Sequence, residues 1–233
     1  MATGHTVKAF DEDLGQLRAL VSEMGGRAET AITGALEALV NRDIESAARI
    51  VDGDRKIDEL ETEIERQVVR LIALRAPLAD DLREVLAALK IAALVERMGD
   101  YAKNIAKRVA LLHDARGIEA MSVLPSMGKV ATEMVRSVLD AFVMRDPVAA
   151  AAVAARDRAV DDFYNSLFRT LLTYMMENPH NITASTHLLF IAKNIERIGD
   201  HATNVAEMVY FAATGRQMAE RAKGEDPLIG ADA

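Results

Sequence analysis

Apolar residues recur every three to four positions along almost the whole chain. Between Asp43 and Leu74, the residues Ile50, Ile57, Ile64, Val68 and Leu71 share one stripe, as on a helix that buries one face. A helix of about 30 residues there would be about 45 Å long. Asp146 followed by Pro147 is a capping carboxylate before a proline at the first helical position, and Pro77 and Pro179 punctuate short polar joints. This reading predicts helices near 6–40, 44–75, 79–114, 119–144, 147–177 and 181–213, with a polar, frayed tail from Thr214.

The third and sixth predicted helices match at an offset of 100 residues. Leu89–Val109 reads LKIAALVERMGDYAKNIAKRV and Leu189–Val209 reads LFIAKNIERIGDHATNVAEMV, identical at 11 of 21 positions. Upstream the offset is 103: Arg42-Asp43 matches Arg145-Asp146, and Asp54-Arg55-x-x-Asp58 matches Asp157-Arg158-x-x-Asp161. The chain is therefore read as one three-helix unit written twice. Short joints make neighbouring helices antiparallel, so the expected fold is all-α: two tandem three-helix bundles built from six long helices. The expected divisions are 1–115, 116–213 and a flexible tail, 214–233.

Composition narrows the function. The chain has 233 residues, a net charge of -8 and 4% aromatic residues, so its field repels phosphate backbones and it has few platforms for stacking bases. Nucleic acid is not an expected ligand. With no cysteine, disulfides, thiolate catalysis, iron–sulfur clusters and cysteine-ligated zinc are excluded. No apolar run reaches the length of a membrane span, and the acidic N-terminal segment is unlike a signal peptide, so a cytoplasmic protein is expected. There is no Ser-His-Asp elbow, glycine-rich phosphate loop or HExxH, and Glu177-x-x-His180 occurs once, across a proline; no catalytic constellation is visible.

The chemistry concentrates on the repeated helices. On a wheel, Ile91, Leu94, Val95, Met98, Ile105, Val109 and Leu112 fall within about 50° of one direction and form the core stripe. Glu96, Asp100 and Asn104 make a ribbon of oxygen donors on the other side, repeated as Glu196, Asp200 and Asn204. Carboxylates at i and i+4 repel on a bare helix and call for a cation between them. Gly99 and Gly199 each cost about 1 kcal/mol inside a helix, which points to a close approach by an ion or a partner surface. Oxygen donors without sulfur suit magnesium, manganese, calcium or iron, with zinc less favoured. Asp54, Asp58, Asp157 and Asp161, acids spaced by four at matching positions, could complete two such sites. The plainer reading is a solvated acidic face balanced by Lys103 and Lys107. His201, which replaces Tyr101, points about 100° away from the ribbon and reads as a surface or interface residue. Arg97 and Arg197 can pair with the ribbon or meet a partner.

The paired sequences Glu96-Arg97-Met98-Gly99-Asp100 and Glu196-Arg197-Ile198-Gly199-Asp200 resemble those of the PhoU family. The first helix, MGGRAETAITGALEALVNRD from Met24 to Asp43, and the aspartates after it are also similar, so the resemblance covers residues 6–213. It implies a cytoplasmic, dimeric regulator rather than an enzyme, with metal ions held on the bundle surface by Glu96/Asp100 and Glu196/Asp200. It further implies negative control of the phosphate-starvation response, and so of transcription indirectly. That control would couple the ATPase subunit of a phosphate ABC transporter to a membrane sensor histidine kinase. A metal-dependent carboxylate-bridged enzyme and a metal-free helical scaffold are the alternatives.

Overall fold

The computed structural model describes residues 3–113 and 122–219. The predicted helix start near 119 and the tail beyond 219 lie outside the described residues. Among those residues there are eight α-helices and no strand: α1 (Thr3–Asn41), α2 (Ile44–Gly53), α3 (Arg55–Arg75), α4 (Asp80–Val109), α5 (Leu124–Met144), α6 (Pro147–Ala154), α7 (Asp157–Glu177) and α8 (Ile182–Thr214).

Two of the six predicted rods are each broken once. Asp54 keeps helical dihedrals, φ -56° and ψ -37°, but the ladder tightens there: the Ile57 N–H donates to the Asp54 carbonyl at 2.8 Å. In the second copy the Arg156 N–H donates to the Val153 carbonyl at 2.9 Å and the Ala159 N–H to the Arg156 carbonyl at 3.0 Å. These three-residue steps re-aim the chain. They leave Asp54 and Asp157 buried at the start of the longer half of each rod.

The repeated Arg-Asp pair is a helix stop followed by a helix start. Arg42 and Arg145 are left-handed, with φ of 56° and 54°, and the next N–H in each case reaches back to a carbonyl five residues earlier, Asp43 to Ala38 and Asp146 to Ala141, both at 2.9 Å. Asp43 then caps α2 by accepting from the Ser46 N–H, and Asp146 caps α6 by accepting from the N–H groups of Val148 and Ala149. At the far end α8 stops at Gly215, φ 70°, whose N–H donates to the Phe211 carbonyl at 2.8 Å.

The repeats share one core. α1 packs on α4, α4 on α8, α8 on α5 and α5 back on α1, so four helices close a central ring. The α2–α3 rod flanks α1 and α4, and the α6–α7 rod flanks α5 and α8. The ring has a pseudo-two-fold axis. A Cβ on buried Gly25 would overlap Leu139, and one on Gly128 would overlap Leu36; these contacts are equivalent under the 103-residue offset. They let α1 and α5 run antiparallel with backbones close together.

This contact separates two adjacent glycines. Gly25→Ala gains about 1 kcal/mol of helix propensity but overpacks the α1–α5 contact by about 1–3 kcal/mol, and is expected to lower the urea midpoint. Gly26 has open space where a Cβ would stand, so Gly26→Ala is expected to raise the midpoint by an amount equivalent to about 1 kcal/mol. Equal shifts for the two would contradict the packing described.

Candidate functional site: two acidic grooves

The carboxylate ribbons face the broken rods. α4 presents Glu96 and Asp100 to the start of α3, and α8 presents Glu196 and Asp200 to the start of α7. The approach is close because Gly99 and Gly199 have no side chains. A Cβ at Gly99 would lie 2.8 Å from Ile57 Cδ1 and 3.6 Å from Asp54 Oδ1, and one at Gly199 would lie 3.0 Å from Asp157 Oδ1. The helical glycines are therefore required by their own repeat's second rod, which brings an aspartate with it. No ion or partner surface is needed to explain them.

In the first groove the cation is a lysine. Lys103 Nζ donates to Asp100 Oδ1 at 2.9 Å and also to Asp54 Oδ2. Asp54 is 6% exposed. Bonding to these two carboxylates holds the Lys103 ammonium well above the usual lysine range. Burial, followed by repulsion from Asp54, raises the carboxyl of Asp58. Burial, then Asp100 and Glu61, push Glu96 up to about 6. Glu61 is itself raised by burial and by Glu65 and Asp58. Asp54, Asp58, Glu61, Glu96 and Asp100 thus form one interacting set around Lys103. The expected solvated face balanced by Lys103 and Lys107 is corrected on both counts: the ribbon is partly buried, and only Lys103 enters the set, while Lys107 stands exposed.

The second groove is arranged differently. Thr203 stands where the first copy has Lys103 and is 1% exposed. A lysine approaches from the other side: Lys193 Nζ donates to Glu196 Oε1 at 2.8 Å and lies 5.0 Å from the centre of the Tyr164 ring. Tyr164 occupies the position equivalent to Glu61. Burial raises the Glu196 carboxyl against the opposing pull of Lys193, with Asp200 and Asp161 adding to the rise. Glu196 Oε2 is buried without a hydrogen-bond partner among the described residues. Neither Asn104 nor Asn204 takes part in these ion pairs; the Asn104 backbone carbonyl accepts from Arg108 Nη1 at 3.2 Å.

The grooves lie on either side of the α4–α8 seam. There one position of the repeat meets its own image, Tyr101 and His201 packing edge to face with ring centres 5.3 Å apart and Tyr101 Oη 3.5 Å from His201 Nε2. His201 is thus an interface histidine between the repeats. Burial keeps its imidazole below the usual range, and Arg97 and Arg197 push the same way. Arg197 stacks 5.8 Å from the centre of the Tyr101 ring, and Arg97 is largely exposed with Nε 3.6 Å from Glu96 Oε2. A further buried acid that sequence reasoning missed, Glu84, ties the repeats together: Arg18 Nε reaches its Oε1 at 2.5 Å and Arg145 Nε its Oε2 at 3.2 Å. Its equivalent in the second copy is Ala184, so no repeat signal marked it.

These groups fit a cation in charge and in donor chemistry. Among the described residues, though, no three His, Asp or Glu side chains converge closely enough to hold a metal ion as they stand. A metal at either groove would have to draw carboxylates inward, and in the first groove it would also have to displace Lys103.

The raised Glu96 carboxyl gives a signed pH effect. A carboxyl raised in the fold lends stability fully below its unfolded value of 4.5 and loses it as pH rises through about 6. In chelator-containing buffer, Glu96→Gln is therefore expected to melt a few degrees above wild type at pH 7.5 and to match it near pH 4.5. A difference that does not change with pH would remove Glu96 from the repelling set.

The comparisons agree with this architecture. The PhoU domain family model matches the chain twice, over residues 21–109 and 124–209. A phosphate-specific transport system accessory protein PhoU homolog of Zymomonas mobilis is 62% identical over 225 residues, covering 97% of this chain and 95% of that one. A homolog of the same description from Caulobacter vibrioides is 48% identical over 227 residues, covering 97% and 99%. Among solved structures, PhoU from Pseudomonas aeruginosa superposes with a TM-score of 0.85 at 34% identity, covering 89% of this chain and 100% of that one. The phosphate transport system regulatory protein PhoU from Streptococcus pneumoniae also gives 0.85, at 30% identity and with coverage of 91% and 100%. With both repeats matched and relatives aligned over nearly their full length, the chain belongs to the PhoU family.

Proposed function

We propose that this protein is a non-enzymatic cytoplasmic regulator of phosphate uptake. In this reading it is an accessory to the phosphate-specific ABC transporter, touches the transporter's ATPase subunit, and holds a membrane sensor histidine kinase quiet when phosphate is plentiful. It restrains the phosphate-starvation response and so acts on transcription only indirectly. The observation that carries the reading is full-length likeness, 62% and 48% identity, to proteins described as phosphate-specific transport accessory proteins. Among the described residues no helix is long and apolar enough to cross a membrane, which fits a role exercised through partners that are in the membrane.

The acidic grooves are proposed as the protein's cation-responsive elements. The second groove supplies Asp157, Asp161, Glu196 and Asp200, with Asn204 one turn further; the first supplies the corresponding Asp54, Asp58, Glu96, Asp100 and Asn104. Carboxylate oxygens favour a hard divalent ion such as magnesium or manganese, with iron or zinc as competitors. The unpaired, buried Glu196 Oε2 supports a cation there. A bound ion would neutralise charge on a chain whose net charge is -8, and so change how that face meets an acidic or basic partner. The molecule is proposed to work as a homodimer.

Deleting the gene in its host tests the regulatory role. The expected result is that a phosphate-starvation reporter becomes active in phosphate-rich medium and is silenced by restoring the wild-type gene, and that the tagged protein retains the transporter ATPase subunit. A reporter that stays silent after deletion, with no retention of the ATPase, would overturn the proposal.

A further inference from the structure

The two repeats share a motif but differ in the group that stands on it. In the first groove the Lys103 ammonium is seated on Asp54 and Asp100. One of these, Asp54, is buried at the kink between α2 and α3; the other lies on α4 beside Gly99. The ammonium is in contact with carboxylates from both rods, which is the bridging position that a divalent cation joining the rods would have to take. Its side chain is 26% exposed, so the stem is packed against the protein and the charge is directed inward. The other basic residue near this set, Arg97, points largely to solvent. The second repeat provides an internal comparison. Thr203, buried and uncharged, stands at the equivalent position, and the lysine of that groove enters from the opposite side, at Glu196.

We propose that Lys103 is the resident cation of the first groove, so that a divalent cation enters between Asp54 and Asp100 only when Lys103 is removed. An ammonium tethered one turn from Asp100 has a high effective concentration and pays little ordering entropy, whereas an incoming ion must first break two charge-assisted hydrogen bonds. In the second repeat a threonine hydroxyl stands at the equivalent position in place of the ammonium. The matching ribbons therefore do not imply matching occupancy, and the cation response proposed above for both grooves narrows to the second repeat while Lys103 is in place. That last clause rests on the proposed function; the claim about Lys103 does not.

The test places Mn(II) on the full-length protein and reads paramagnetic broadening in amide TROSY spectra at residues 54–61, on the first repeat's flanking rod, with 157–164 as the second repeat's reporter. In wild type the signals of 54–61 are expected to survive one equivalent of Mn(II). In Lys103→Thr, which copies the second repeat, they are expected to disappear. Lys103→Gln provides the same readout with a side chain of similar length should the threonine variant fail to fold. Loss of these signals in wild type to the same degree as in the variants would overturn the proposal, and so would their survival in both variants. Signals at 157–164 that survive Mn(II) would count against a cation in the second groove and leave the Lys103 result to be judged on its own.

Discussion

Everything in the two grooves depends on α4 and α8 lacking a side chain where the flanking rods press on them. At Gly99 and Gly199 the rod comes so near that a methyl group would meet Ile57 Cδ1 at 2.8 Å or Asp157 Oδ1 at 3.0 Å. The rod breaks at that approach, with Asp54 at the junction of α2 and α3. The tightened turn at Asp54, and its counterpart at Ala155 and Arg156, re-aims the chain that follows, with the buried aspartate at the contact. A buried carboxylate is costly unless it is paired and hydrogen-bonded, so each groove must also provide a positive charge or strong donors. The glycine, the kink, the buried aspartate and the counter-ion are linked steps of one constraint.

Duplication supplied two such grooves, and the central ring of four helices holds them on either side of one seam. Pseudo-symmetry is strict where packing requires it: Gly25 against Leu139 has its image in Gly128 against Leu36. It relaxes where a residue meets its own image. Tyr101 and His201 touch at the axis, and two large copies of one side chain there would compete for the same space. It relaxes again in the charge balance, where Lys103 and Lys193 enter their grooves from opposite ends. The repeats therefore share a scaffold and differ in electrostatics.

Much of this was legible in the sequence. The rods follow from three-to-four periodicity, the start of the fifth rod from Asp146-Pro147, and the acidic ribbons from spacing by four within one helix. All of these are local relations. The breaks at Asp54 and Arg156 were not legible because no proline marks them and Asp54 keeps helical dihedrals. Glu61 was missed because its counterpart is Tyr164, which erased the repeat signal that exposed the other acids. The sequence marks Lys103 as balancing the face, which is correct in sign, but its bond to Asp54 spans 49 residues and depends on a kink that periodicity does not report. The glycines mark a close approach, as their place inside helices implies, although what approaches is the protein's own helix.

Lys103 and Asp54 form a partly buried, structural ion pair and not a surface contact. A double-mutant cycle with Asp54→Asn, Lys103→Met and the combined variant, read by urea unfolding in the presence of chelator, measures that pair directly. The expected coupling is about 1.5–3 kcal/mol, as for groups sharing one hydrogen-bonded ion-pair network. A coupling of about 0.5 kcal/mol or less, the range of exposed ion pairs, would contradict it.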